Sequence, residues 1–272
     1  MPKKRTLTAS ESPLDGLGLS GGGSALARGL EILRKFQDHN NTLSVAELSS
    51  SLGLPRPTTA RLVDTLVAHQ FLREVPGTGY YQPAGSSFVI GQALLASKSI
   101  IHIAQPALQE LTDRFGVHVV LGVRERLSML CLDHCTSRDG SQFRYGAGAL
   151  MPLASTALGR AWLWAQHGAA QADLIKQLRT HVIATTKNYI PGIYRAFQEM
   201  EEFGYCFSLG EWVPEIHAVA APLALDDSSI YAVSCKATGT GFNEKRLHDD
   251  VGPALLGVIS KIKDAAIRAL PE

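Results

Sequence analysis

The chain has 272 residues, of which 45% are apolar and 19% are charged, so it can bury the cores of two domains. Its formal net charge of +1 points to no particular partner, but the charge is unevenly distributed. Residues 1–100 carry ten Lys and Arg against seven Asp and Glu, whereas the remainder carries sixteen against eighteen. Because nucleic-acid affinity comes largely from phosphate neutralisation, this mildly basic N-terminal third permits DNA binding without establishing it.

The cysteines and the apolar runs exclude several classes of protein. The four cysteines form no CxxC motif and no disulfide scaffold, so we expect reduced thiols, no zinc site, and neither a metal nor a cofactor. No apolar run is long enough to cross a bilayer, and no apolar stretch follows the basic residues 1–5 as in a secretory signal. We therefore expect a cytoplasmic protein that does not contact a membrane.

The first elements in chain order are a tail and two helices. Residues 1–23 are polar and end in a Ser- and Gly-rich stretch, which predicts a disordered tail. Apolar residues at helical spacing then predict a first helix. Ser44 and Glu47 have the spacing of a capping box, so a short helix should begin at Ser44 and stop at Gly53. The apolar face of the first helix consists of Leu26, Leu30, Leu33 and Phe36.

A third helix and a hairpin complete the N-terminal domain. The prolines after Gly53 can open a helix but not sit inside one, and this helix should run to about Gln70. Two short helices joined by a tight glycine turn predict a helix-turn-helix. Strands at 71–75 and 80–83, joined by a turn, then predict a wing. Residues 24–84 are therefore predicted to form a winged helix-turn-helix DNA-binding domain.

The remaining chain predicts a linker helix and an α+β domain. Residues 85–99 should form a linker helix whose apolar side chains pack on a partner subunit. From 100 to 272 the periodicity alternates between helix and strand, which predicts an effector-binding domain with a largely antiparallel sheet. Its helices are predicted at 103–115, 156–166, 191–203 and 243–268. Its strands are predicted at 117–124, 127–133, 142–148, 205–208, 217–225 and 230–237.

Several stretches in order carry a resemblance to a known family. They are ARGLEIL at 27–33, LGLPRPTTARLVDTL at 52–66, ASTALGRA at 154–161, GYC at 204–206 and AVAAPL at 218–223. By their order and spacing the chain resembles the IclR family of bacterial transcriptional regulators. The resemblance implies a winged helix-turn-helix, a linker helix and a GAF-like effector domain, in homodimers or tetramers. It also implies a palindromic DNA operator near genes for catabolic enzymes, and control by a small organic acid.

The third helix is the predicted DNA reader. Its N-terminal residues would enter the major groove, where each base pair presents a distinct pattern of donors and acceptors. The alternative is an ordinary solvated helix face, and the sequence does not tell a base contact from a phosphate contact. The candidate residues, which we expect to lie off the buried face, are Arg56, Thr58, Thr59 and Arg61. Arg73, on the wing, is a further phosphate candidate.

The resemblance implies an effector pocket at the edge of the sheet. Its expected residues are Thr156, Ala157, Ser208, Ile216, Ala218, Ser234 and Lys236. Two physical points support this pocket independently. A helix N-terminus, as predicted at Thr156, binds anions because its first N–H groups lack partners, although Thr156 can also be a plain cap. Strand alternation places Ser234 and Lys236 on one face, where they could receive a carboxylate, and turns Val233 and Cys235 the other way.

Lys236 departs from the family pattern. The resemblance implies a small residue at this position, commonly Ser or Gly. A lysine there could grip an anion, partly fill the pocket, or lie at the solvent edge, and the sequence leaves these alternatives open.

Two other functions were weighed against regulation by a ligand. Cys131, Asp133 and Cys135 are predicted to share one strand face, with His134 between them, so a cysteine-dependent enzyme or a thiol-based redox sensor is conceivable. However, the chain has no nucleophile elbow, P-loop, dinucleotide fingerprint or HExxH motif. We therefore expect that the protein is not an enzyme and that it has no catalytic residue. Redox sensing through Cys131 and Cys135 stays an alternative, although Cys131 lies in an apolar stretch that indicates burial.

Overall fold

The computed structural model describes seven stretches of the chain. They are residues 24–37, 42–97, 99–136, 145–183, 188–226, 229–238 and 243–269. The predicted tail at 1–23 lies outside them. The chain divides at residues 98 and 99 into two compact units, which are described separately. The predicted linker helix belongs with the N-terminal unit, and the functional division into domains stays a prediction.

The N-terminal unit is a winged helix-turn-helix, as the sequence predicted. Its helices are α1 (Ala25–Arg34, continued by a 3₁₀ turn at Lys35–Gln37), α2 (Val45–Leu52), α3 (Arg56–Ala68) and α4 (Gly85–Ser97). Its strands are β1 (Leu43–Ser44), β2 (Leu72–Val75) and β3 (Tyr80–Pro83), which form an antiparallel sheet in the order β1-β3-β2. The sequence analysis did not predict β1.

Local chemistry explains where α2 begins and ends. The Ser44 hydroxyl accepts the N–H of Glu47, and the Glu47 carboxylate accepts the N–H of Ser44 at 2.8 Å, so the predicted capping box is confirmed. Gly53 ends the helix with a φ of 63°, a left-handed conformation that favours glycine. The helices close over a small core formed by Ile32, Phe36, Leu48, Val63 and Leu72.

The C-terminal unit is built on one antiparallel sheet of six strands. The strands are β4 (His118–Glu125), β5 (Ser128–Cys135), β6 (Leu150–Pro152), β7 (Cys206–Leu209), β8 (Ile216–Ala224) and β9 (Ile230–Thr238), in the order β6-β5-β4-β9-β8-β7. The helices are α5 (Ser99–Phe115), α6 (Ala157–Trp164), α7 (Gly168–Ile183), α8 (Ile190–Phe203), α9 (Glu244–Arg246) and α10 (Gly252–Ala269). A single π-helical turn at Leu247–Val251 precedes α10. The expected α+β fold with an antiparallel sheet is confirmed.

The sheet separates two apolar cores. Helices α5 and α10 cover one face, and α6 covers the other face together with α7 and α8. Strand β9 contributes to both sides, because Val233 and Cys235 lie in the core of α5 and α10 whereas Ala232 lies in the core of α6. The predicted alternation along this strand is therefore confirmed.

Two predicted elements were wrong in detail, and one helix was missed. The edge strand is β6, not residues 142–148, because Gly148 has a φ of 88° and 146–149 form a turn; residues 142–144 lie outside the described stretches. Helix α7 was not predicted at all. The expected single helix at 243–268 is α9, the π turn and α10 in succession.

A β-bulge overturns the predicted shared face on β5. The register of β4 and β5 shifts between Leu121 and Gly122, whose partners are Asp133 and Cys131. The extra residue turns the following side chains over. As a result Cys131 lies in the core of α6, and Cys135 lies in the core of α5 and α10 on the opposite face.

Candidate DNA-reading helix and effector pocket

Helix α3 presents part of its predicted reading surface to solvent. It begins at Arg56 directly after Pro55, which supplies no side-chain cap. Arg56 and Arg61 are exposed and Thr58 is half-buried, so these three side chains are available to a partner. The wing residue Arg73 is also exposed and lies opposite Gln82 in the β2–β3 hairpin.

Thr59 is the exception, and its predicted position off the buried face is wrong. Its side chain is fully buried, and its hydroxyl donates a hydrogen bond to the carbonyl oxygen of Pro55 at 3.2 Å. Thr59 and the core residue Val63 are four residues apart in α3, so their side chains lie on the same face of the helix. Thr59 therefore supports the start of the helix and is not available to a base.

All seven residues expected in the effector site line one pocket in the C-terminal unit. The pocket comprises about 290 Å³, part of it open to solvent. Three further lining residues were not predicted, namely Leu158, Trp212 and Val213. Leu158 follows directly on two predicted residues. Trp212 and Val213 lie on the β7–β8 loop, whose path periodicity does not specify. The seven expected residues are Thr156, Ala157, Ser208, Ile216, Ala218, Ser234 and Lys236.

The start of α6 forms one wall of this pocket. Thr156 is the N-cap, and its hydroxyl accepts the N–H of Gly159 at 3.1 Å while donating to the carbonyl of Pro152 at 2.7 Å. Thr156 thus acts as a plain cap, which leaves the N–H groups of Ala157 and Leu158 without partners inside the helix. A Cβ at Gly159 would collide with the backbone of Leu153, so glycine is needed for this close approach.

Two serines contribute hydroxyl groups to the pocket, and they differ in whether the hydroxyl has a hydrogen-bond partner among the described residues. Ser208 is buried, and its hydroxyl donates to the carbonyl of Ser155 at 3.0 Å. Ser234 is fully buried, and its hydroxyl has no hydrogen-bond partner among the described residues. An unsatisfied buried hydroxyl costs free energy, so Ser234 is available to a polar group that enters the pocket.

Lys236 lies in the pocket wall with only 3% of its surface exposed. The solvent-edge alternative for this residue is therefore wrong. Its Nζ lies 2.8 Å from Sδ of Met151, and its strand neighbours are His118 and Ala218. Burial lowers the pKa of Lys236 to about 8, and the nearby Cys131 counteracts this in part.

The β7–β8 loop closes the opposite wall. Its backbone is tied by hydrogen bonds from Gly210 N to Ile216 O at 3.0 Å and from Ile216 N to Val213 O at 2.9 Å. The ring of Trp212 packs against the ring of Tyr145, with centroids 4.5 Å apart. On the same loop, the carboxylate of Glu211 contacts two arginines, Arg160 and Arg195.

Comparison with known proteins decides the family. Residues 25–76 match the IclR helix-turn-helix domain, and residues 92–263 match the C-terminal domain of bacterial IclR transcriptional regulators. The chain belongs to the IclR family. It is a DNA-binding transcriptional regulator and not an enzyme, because the members of this family regulate transcription.

Three relatives illustrate the range of likeness within the IclR family. The HTH-type transcriptional regulator TsaQ1/TsaQ2 of Comamonas testosteroni is 30% identical, over 90% of this chain and 88% of its own. An IclR-family regulator from Brucella abortus has a TM-score of 0.79 at 33% identity, covering 90% of this chain and 93% of that one. An IclR homolog of Microbacterium hydrocarbonoxydans, solved with 4-hydroxybenzoate, has a TM-score of 0.69 at 18% identity, covering 90% and 100%.

The thiols of this IclR-family chain are poorly suited to redox chemistry. Burial, with a smaller contribution from the charge of Asp133, raises the pKa of Cys131 to about 12 and that of Cys135 to about 11. Nearby Lys236 lowers the pKa of Cys131 only in part. Both side chains are buried and on opposite faces of the sheet, so they are protonated at neutral pH and are not adjacent.

Within the described stretches, no group of three or more His, Cys, Asp or Glu side chains is arranged to hold a metal ion. Nor does any helix in this part of the chain combine the length and apolar composition that crossing a bilayer requires.

Proposed function

We propose that this regulator controls a catabolic operon in response to a small organic acid, which binds in the pocket between α6, β9 and the β7–β8 loop. The observation that carries the proposal is a buried lysine beside a buried hydroxyl that has no hydrogen-bond partner in the described part of the chain. Lys236 and Ser234 lie two residues apart on one face of β9 and both line the pocket. A carboxylate could accept hydrogen bonds from both groups.

Two further features of the pocket support an anionic ligand with an apolar body. The N–H groups at the start of α6 favour negative charge, because they lack partners within the helix and lie at the positive end of its dipole. Away from the polar groups, the walls consist of Leu158, Trp212, Val213, Ile216 and Ala218. Apolar walls with a few polar anchors are typical of small-molecule sites.

The DNA-binding half of the proposal is that a homodimer, or a tetramer built from dimers, reads a palindromic operator. In this arrangement each α3 enters the major groove of one half-site, with Arg56, Thr58 and Arg61 facing the DNA. A regulator that binds chromosomal DNA acts in the cytoplasm. Helix α4 supports a dimer, because Phe88, Val89 and Ile90 are each more than half exposed.

Thermal unfolding with matched ligands tests the effector proposal. 4-Hydroxybenzoate provides an acid, and 4-hydroxybenzamide provides a neutral ligand of nearly the same shape. A ligand that binds only the folded protein stabilises it by RT ln(1 + [L]/Kd), so Tm should rise with the concentration of acids and not with the amide. A panel of aliphatic and aromatic acids extends the test. If the neutral compounds stabilise the protein best, the anion proposal is wrong.

A further inference from the structure

Glu211 lies on the β7–β8 loop beside the pocket wall, and it was not predicted from the sequence. It directly precedes Trp212 and Val213, both of which line the pocket. Its Oε1 accepts hydrogen bonds from Nη1 of Arg160 at 2.8 Å and from Nη2 of Arg195 at 2.7 Å. Its Oε2 forms a second, shorter contact with Nη2 of Arg160. The carboxylate is therefore held from two sides.

Arg160 connects this loop to the other wall of the pocket. It is fully buried on α6, whose N-cap Thr156 and first residue Ala157 line the same pocket as Trp212. Its Nε also donates to the carbonyl of Ala154 at 2.8 Å. A buried guanidinium requires a charged partner, because desolvation of an unpaired ion is costly. Glu211 is that partner.

Helix α8 completes the cluster of charges. Arg195 is 61% exposed and bridges Glu211 and Glu199 of its own helix. Gly192, one turn earlier, gives the guanidinium of Arg160 its space, because a Cβ at this position would collide with it. Burial alone would raise the pKa of Glu211, but the hydrogen bonds and charge of Arg160, with those of Arg195, hold it below its usual value.

We propose that Glu211 is a positioning residue for the effector site. Through Arg160 and Arg195 it holds Trp212 and Val213 in the pocket wall, and so it sets which apolar bodies the site accepts. The anionic group of the effector would be bound elsewhere, by the start of α6, Ser234 and Lys236. This inference rests on the proposed function, since it concerns the same pocket.

Glu211→Gln tests the proposal, with Glu215→Gln as the matched control. Glu215 is an exposed carboxylate on the same loop, so its substitution removes the same charge without touching Arg160. The first measurement is hydrogen exchange without any ligand. The amides of residues 210–213, 215 and 216 should exchange faster by about tenfold or more in Glu211→Gln, while strand β9 is unchanged. Equal exchange in both variants would overturn the inference, whatever the protein binds.

The second measurement compares two acids that differ in the apolar body. Benzoate would contact the wall formed by Trp212 and Val213, and acetate is too small to do so. Glu211→Gln should weaken benzoate by about tenfold and acetate by less than about twofold, and Trp212→Ala should do the same. Loss of both acids to the same extent would make Glu211 a merely structural residue and overturn the inference.

A substitute variant and the ligand-free measurement distinguish failure of this inference from failure of the proposed function. If Glu211→Gln does not fold, Arg195→Gln repeats both measurements, because it removes the exposed contacts of Arg195 to Glu211 and Glu199 and leaves the pair of Arg160 and Glu211 in place. If the unmodified protein binds no acid at all, the proposed function fails. Hydrogen exchange still decides whether Glu211 positions the loop in that case.

Discussion

At the scale of single residues, we expect Lys236 to couple effector binding to its own protonation. Its ammonium loses hydration in the pocket wall, and the resulting pKa of about 8 shows that burial disfavours the charged form. The thiol of Cys131, which lies near Lys236, is held protonated by its own burial. An anion beside Lys236 would favour the ammonium again. Binding should therefore be coupled to proton uptake by this residue.

The coupling predicts a pH dependence of effector binding. Below pH 8 the amine of the free protein is protonated, so the affinity for a carboxylate should be constant. Above pH 8 the free amine loses its proton, and the affinity should fall by up to about tenfold per pH unit until the higher pKa of the complex is reached. Calorimetric titration from pH 7 to pH 10 with benzoate, whose carboxylate stays ionised throughout this range, measures this directly.

Lys236→Met provides the matched measurement. A charge-assisted hydrogen bond contributes about 1.5–3 kcal/mol, so this variant should bind the acid about tenfold or more weakly at pH 7. Its affinity should not change between pH 7 and pH 10, and its operator binding without ligand should be intact. Lys261→Met, at an exposed lysine of α10, is the control. Unchanged affinity in Lys236→Met would leave the anion to the N–H groups of α6.

At the scale of elements, α3 combines a reading surface with a structural face. The buried hydroxyl of Thr59 and the side chain of Val63 face the core, whereas Arg56 and Arg61 point to solvent. Neither arginine side chain is part of the apolar core of the N-terminal unit. Their substitution should therefore change DNA binding without changing the free energy of unfolding by much.

Arg56→Ala and Arg61→Ala should each weaken operator binding by about 1–3 kcal/mol if the side chains reach base edges. Fluorescence anisotropy with a duplex selected from a random library measures the loss, and a scrambled duplex measures non-specific binding. Equal losses on both duplexes would assign the residue to phosphates. Arg268→Ala, at an exposed arginine of α10, should have no effect. If neither α3 variant binds more weakly, α3 is not the reading helix.

The elements that the sequence predicted are those with local physical signals. The capping box at Ser44, the glycine that ends α2 and the alternation along β9 follow from chemistry within a few residues. The bulge in β5 depends on how two strands pair, and no local pattern reveals it. The same holds for the pocket wall, because Trp212 is placed by Glu211 and Arg160, which lie 51 residues apart in the chain.

At the scale of the whole molecule, helix α4 predicts self-association. Its start is fixed to its own unit, since Ser86 N bonds Gln70 O at 3.1 Å and the Ser87 hydroxyl bonds Phe71 O at 3.0 Å. Beyond this point, Phe88 and Val89 are 67% and 65% exposed. Adjacent exposed apolar side chains are unfavourable in water unless another surface covers them.

Light scattering should therefore return a dimer or a tetramer at micromolar concentration. Ile90→Asp places a charge on the exposed apolar surface of α4, so it should shift the protein to a smaller species and weaken operator binding. Ile267→Asp, the control, introduces the same charge at a position on α10 that is also more than half exposed. A monomeric unmodified protein would contradict the prediction, and so would an equal effect of the two substitutions.

Neighbouring residues of strand β9 face the effector pocket and the core of α5 and α10 in turn. On one side, Ser234 and Lys236 border the pocket, and on the other, Val233 and Cys235 belong to the core of α5 and α10. Successive side chains share a single backbone with a rise of about 3.3 Å per residue. A ligand that changes the twist of β9 would therefore also move Val233 and Cys235. In this way α5 and α10 would respond to the ligand without contacting it.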